Sequence, residues 1–171
     1  MLKLSYRYNQ NSTSLIIDGV PDFSQGDSDQ TIGILSSWTL KIIGFPLLEG
    51  KREHLDNLMQ VVLKYSRYYV SGFRESFISP QRTVFISPLG SKHKLLLVSS
   101  QDRVEPLEII LDDSELADLT RCLDSLRFDE RININWTSKP DRPFRKGLVF
   151  NKSPKLYKYH TPLYSTLLFT L

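Results

Sequence analysis

Three histidines, one cysteine and a short acidic run are the side chains of this 171-residue chain with the types to do chemistry. A histidine beside a nucleophile and an orienting acid can move protons. Clustered His, Cys and carboxylate side chains at short spacing can hold a metal. His54, His93 and His160 stand far apart, and none has a metal-ligand neighbour at such spacing. His54 falls at a helix start and His93 at a strand start after a turn, so both are expected at the surface. Cys122 follows Arg121, but adjacent helix residues do not face each other. Without a cation or a helix N-terminus its thiolate is not favoured, and Cys122 is expected as a small residue at the edge of a buried face. Asp112, Asp113, Glu115 and Asp118 look like a carboxylate cluster. Acids in a helix's first turn are equally explained by the macrodipole. The eight glycines form neither GxGxxG nor a P-loop. The expectation is a non-enzyme with no catalytic, cofactor-binding or metal-ligating residue. An enzyme would need a polar pocket where the halves of the chain join, near His93 and Glu105.

Binding chemistry has a stronger signal. "YRY" (6–8), "KYSRYY" (64–69) and "KLYKYH" (155–160) set rings beside cations. A sheet face built this way can stack bases and hold phosphates. Against that, Tyr6, Tyr8, Tyr65 and Tyr69 fall in phase with core positions.

The elements that must position these residues follow from periodicity. "LKLSYRY" (2–8) alternates with period two, and strands are predicted there, at 13–18 and at 38–45. Polar "PDFSQGDSDQ" (21–30) is predicted to be a mobile loop. After Gly50, Leu55, Leu58, Met59, Val62, Tyr65 and Tyr69 recur at steps of three and four, one face of a helix that Ser71–Gly72 can stop. Strands are predicted at 82–87, 93–100 and 106–111, with a turn at 88–91. A second helix starts at Asp112 or Asp113, where Asp112-x-x-Glu115 has capping-box spacing. Shifting Leu55, Leu58, Val62 and Tyr65 by 61 positions gives Leu116, Leu119, Leu123 and Leu126. The fold class predicted is therefore α+β: two pseudo-repeated β-β-β-α units (about 1–72 and 73–136) whose antiparallel sheets share one core. "RININW" (131–136) is predicted as a seventh strand. Residues 137–171 are a basic linker and apolar tail.

Composition fits this plan. Hydrophobic residues make up 40% and charged residues 24%, which argues for a folded core rather than disorder. One cysteine permits no disulfide framework within the chain. "MLKLSYRYNQ" lacks the layout of a secretory signal or transit peptide. Charge is uneven: Lys139–Lys158 holds seven cations against Asp141, a net +6, which leaves −3 on the rest of a chain of net charge +3. Eleven mostly apolar residues follow from Thr161, too few for the ~20 of a spanning helix. Such a tail can lie at a membrane interface, dock on a membrane partner, begin a truncated spanning helix, or add a last element to the body. For attachment the candidates are the cations Arg142, Arg145, Lys146, Lys152, Lys155 and Lys158, with Leu163, Leu167, Leu168 and Phe169 as the apolar part.

"LSYRYN" (4–9), the long stretch Ser37–Gly72, "SKHKLLLVSSQ" (91–101) and Glu105–Asp129 resemble an uncharacterised cyanobacterial family known only as a domain of unknown function. That resemblance implies proteins facing the cytosol of photosynthetic organisms, many continuing into a hydrophobic C-terminus. It supplies no catalytic residues. Taken together, the expectation is a non-catalytic scaffold or assembly factor, cytoplasmic or stromal and peripheral to the thylakoid membrane. Its partners would be a membrane-associated protein and an anionic lipid surface. The alternative is a single-stranded nucleic-acid binder using an aromatic and basic sheet face.

Overall fold

The structure, a computed structural model, describes residues 3–99 and 104–138. Two meandering antiparallel sheets of four strands each are joined by two helices. The first sheet is β1 (Leu4–Asn9), β2 (Thr13–Val20), β3 (Ile34–Ile42) and β4 (Leu48–Gly50), followed by helix α1 (Arg52–Val70). The second is β5 (Phe77–Ile78), β6 (Val84–Leu89), β7 (Lys92–Leu97) and β8 (Leu107–Leu111), followed by helix α2 (Asp113–Arg127). The α+β class and the repeated order are as predicted. Each unit has four strands rather than three, because β4 and β5 span only three and two residues and leave too little pattern to read.

The two helices start alike. In both, one residue separates the last strand from the helix. Asp112 accepts from the Glu115 amide at 2.8 Å and Glu115 returns a carboxylate to the Asp112 amide at 2.9 Å. Sixty-one positions earlier, His54 Nδ1 accepts from the Lys51 amide at 3.1 Å. A side chain at Gly50 would sit 2.7 Å from that ring nitrogen, so glycine keeps the cap open.

All eight stripe residues matched by the 61-position shift are buried. They do not pack chiefly on their own sheets. α1 lies mainly against β6 and β5 of the second sheet, and α2 mainly against β2 and β1 of the first. Polar fastenings follow the same exchange. Buried Asn57 on α1 donates to Thr83 Oγ1 at 3.2 Å, ahead of β6. Its counterpart on α2, buried Asp118, accepts from the amide and hydroxyl of Ser12 at 2.9 Å, ahead of β2. Each helix thus closes the hairpin of the other unit, and Ser66 and Thr120 hydroxyls join the two helices at 2.7 Å.

Two connections differ from expectation. The 21–30 loop contains a short 3₁₀ turn, Phe23–Gln25, capped by Asp22, and Asp27 binds the Asp22 amide at 3.0 Å. "RININW" keeps its period two, with Ile132, Ile134 and Trp136 buried between exposed neighbours, yet it builds no ladder. It forms a strap along the first unit, with one parallel bridge, Ile32 to Ile132, and side-chain bonds from Asn133 to Asp27 at 2.6 Å and from Arg52 to the Asn135 carbonyl. Asp56 on α1 ends the described strap: its carboxylate accepts the amides of Thr137 at 3.1 Å and Ser138 at 3.2 Å, and the Thr137 hydroxyl as well.

Candidate functional site

β7 alternates inward with His93 and Leu95, and this phase carries His93 to full burial between Tyr65 and Tyr69 of α1. The surface position expected for His93 is therefore corrected. A polar residue can be buried when it is hydrogen-bonded, and His93 is bonded at both nitrogens. Nε2 lies 2.8 Å from Asp113 Oδ1 and Nδ1 lies 2.6 Å from the Tyr65 hydroxyl. A carboxylate can only accept, so His93 donates from Nε2, and in that tautomer Nδ1 accepts the hydrogen bond of the Tyr65 hydroxyl. The relay runs from solvent inward: the Asp113 side chain is 72% exposed while His93 and Tyr65 are fully buried. Nucleophilic catalysis needs the opposite order, a reachable hydroxyl backed by a buried acid. Here the hydroxyl is sealed in, and the triad fastens α1, β7 and α2. Asp113 borders an open groove of about 410 Å³ between the helices, lined by Tyr69, Val70, Leu116 and Ala117. Glu105 is not brought to His93. His93 pairs with Leu111 at one end of β8, and Glu105 lies two residues before the other end, Leu107.

The other chemistry-bearing residues are used inside the fold. Asp112 and Glu115 cap α2, and Asp118 holds Ser12. Among the described residues, no group of three or more His, Cys, Asp or Glu can hold a metal. Cys122 is fully buried, 3.4 Å from the Tyr8 carbonyl and 3.6 Å from that of Thr13. Burial pushes its thiol up to about 11, which keeps it protonated and unreactive. The Tyr8 hydroxyl donates to Asp129 at 2.8 Å, and Arg131 grips the same carboxylate at 2.7 and 2.9 Å while stacking 4.1 Å from the Tyr6 ring. Arg131 holds the Asp129 carboxyl well below the usual range, and burial raises the Tyr8 hydroxyl. Of the aromatic–cation pairs legible in sequence, Tyr8 and Tyr65 are buried, Tyr6 and Tyr69 pack half-buried against the core, and 155–160 lies outside the described residues.

These shifts set a pH window. Burial raises Tyr65 from 10.0 to about 12 and Cys122 from 9.0 to about 11. Groups raised in the fold add stability below their unfolded values and lose it as pH climbs through the folded ones. Asp129, lowered from 3.8, contributes above that value and is lost in acid. The melting temperature is expected to hold a plateau from about pH 5 to 9 and to fall on both sides. Tyr65→Phe should shrink the fall between about pH 10 and 12; an unchanged alkaline limb in a melting series would refute this part played by Tyr65.

The outward surfaces distinguish the two units. The first sheet's outer face carries Arg7, Ser14, Asp18, Ser37, Thr39 and Lys41 around Ile16, with exposed Ile34 opposite Val20 at the end of the sheet. On the second sheet the corresponding face presents Ile78, Phe85 and Leu96 in one cross-strand row, with Ile110 beside it. These apolar residues were missed as a surface. Their signal was present, since "LLLV" and "EIIL" are apolar in both strand phases, the mark of a strand covered on two faces.

A model of the family described as a domain of unknown function, DUF4335, matches residues 6–168. The chain belongs to this family. The comparisons with curated proteins and with solved structures gave no match. The DUF4335 match continues beyond Asp129, so the family pattern takes in the strap and the basic segment as well as both sheets. The attachment candidates Arg142, Arg145, Lys146, Lys152, Lys155, Lys158, Leu163, Leu167, Leu168 and Phe169 lie outside the described residues. Among the described residues no helix is long and apolar enough to cross a membrane.

Proposed function

We propose that this DUF4335 chain is a non-catalytic scaffold or assembly factor that makes protein contacts at the cytosolic or stromal face of a photosynthetic membrane. The observation that carries this reading is the apolar outer face of the second sheet, set against the polar outer face of its sister. Two sheets with the same internal task need the same inner face. An outer face that differs in this way supports a contact surface. The relay fits the same reading, because its buried hydroxyl is spent on holding elements together. Burial of Tyr8 and Tyr65 favours this reading over the nucleic-acid alternative, whose remaining aromatic and basic residues at 155–160 lie outside the described residues.

The membrane side of the proposal rests on the +6 segment and the apolar residues after it. Each cation near an anionic surface contributes about 1 kcal/mol. Flotation on phosphatidylglycerol vesicles is the test. The full chain is expected to float at low salt and sink at high salt, and a chain ending at Ser138 should not float. Equal flotation of the two would refute attachment through the tail.

A further inference from the structure

We propose that Trp136 is a second membrane-contacting group, kept by the strap in the free chain and handed to the bilayer interface when the basic segment binds. The inference rests on the attachment reading above and adds a described residue to it. The chain has two tryptophans, and the fold treats them differently. Trp38 is buried, and its indole N–H donates to the Lys51 carbonyl at 2.9 Å. Trp136 is buried as well, at 8% exposure, yet its indole Nε1 has no hydrogen-bond partner among the described residues. The Arg52 guanidinium stands over its ring, 5.9 Å from the centroid. A buried N–H without an acceptor forfeits the hydrogen bond that water would give it. At a membrane interface the same side chain meets both needs, with its ring among acyl chains and its N–H among wet headgroups.

The strap can release this end first. Beyond Trp136 it is fastened by Asp56, whose carboxylate accepts the amides of Thr137 and Ser138. Before Trp136 it is fastened by Arg52 on the Asn135 carbonyl. Arg52, Asn135 and Thr137 are exposed, so water takes over their bonds at little net cost. The bridge of Ile132 to Ile32 lies further in and stays closed in this step. Lys139 follows three residues after Trp136, at most about 10 Å of chain. A headgroup layer that holds Lys139 and Arg142 is therefore within reach of the indole.

Phosphatidylglycerol vesicles with brominated acyl chains test this, because bromine quenches an indole only at contact. The full, unsubstituted chain is expected to float and to lose emission on brominated vesicles relative to unbrominated ones. Trp136→Phe leaves buried Trp38 as the emitter, and its floated fraction should show no such loss. Asp56→Ala frees Thr137 and Ser138, and should tighten vesicle binding about threefold more than Glu53→Ala, which removes a neighbouring acid and none of these strap bonds. Circular dichroism of each variant separates a changed strap from a lost fold. A chain that floats with its emission intact overturns the inference and spares membrane attachment. Quenching that persists in Trp136→Phe overturns it too, since the contact then belongs to Trp38. Equal effects of Asp56→Ala and Glu53→Ala overturn the part given to the strap. A chain that does not float overturns both proposals.

Discussion

Cut after Gly72, the chain is expected to yield two pieces that do not fold alone and that regain a cooperative melt when mixed. The helix exchange is the reason. The first piece keeps β1–β4 and α1 but loses α2, whose Leu116, Leu119, Leu123 and Leu126 are all buried in the whole molecule. It also loses Asp118, which holds the hairpin amide of Ser12. The second piece loses α1 and with it Tyr65 over His93 and Asn57 against Thr83. Each exposed core side chain forfeits about 1.5–3 kcal/mol, and a whole domain has only about 5–15 kcal/mol to lose. Four such residues suffice to unfold either piece. Far-UV circular dichroism with thermal melting measures this, and a cooperative transition in an isolated piece would show that the units are independent.

His93→Ala is expected to lower the unfolding free energy by about 3 kcal/mol, the larger of two effects at the relay. It opens a cavity in a fully buried site and leaves the Tyr65 hydroxyl without its acceptor, each worth about 1–3 kcal/mol. Tyr65→Phe removes the hydroxyl and keeps the ring, so its cost should be nearer 1 kcal/mol. Because both changes break one hydrogen bond, the double variant should cost less than the two single costs added. Urea titration of the four chains gives the cycle. Strict additivity, or a His93→Ala cost within about 0.5 kcal/mol of zero, would mean that the relay holds nothing.

Much of the fold was legible because its signals are local. The stripe from Leu55 to Tyr65 and its echo from Leu116 to Leu126 needed only periodicity. The Asp112–Glu115 box needed only spacing. His93 was misplaced because its burial depends on Tyr65, 28 positions away, and Asp113, 20 positions away. Nothing adjacent to His93 announces either partner. "RININW" shows the reverse case: alternation correctly gave the buried side of Ile132, Ile134 and Trp136, but ladder formation depends on an open neighbouring strand edge, which periodicity does not encode. The exchange of helices was invisible for the same reason, since an amphipathic face specifies that it is covered and not by which sheet. Of the candidate surface, the two-phase apolar runs at Leu95–Val98 and Glu108–Leu111 were readable. That one side of them stays open was not.

The strap has a mechanical meaning. A load applied to the chain beyond Ser138 enters the fold at Asp56, on the second turn of α1, and only then reaches the buried anchors Trp136, Ile134 and Ile132 in turn. The attachment is a series of small fasteners rather than one clasp, so a pull releases it stepwise from the outer end. Helix α1 therefore bears the load first, through Asp56 and Arg52, and the bridge of Ile132 to Ile32 ahead of β3 bears it last. A pull from this end of the chain is thus felt at a helix before it is felt at a sheet.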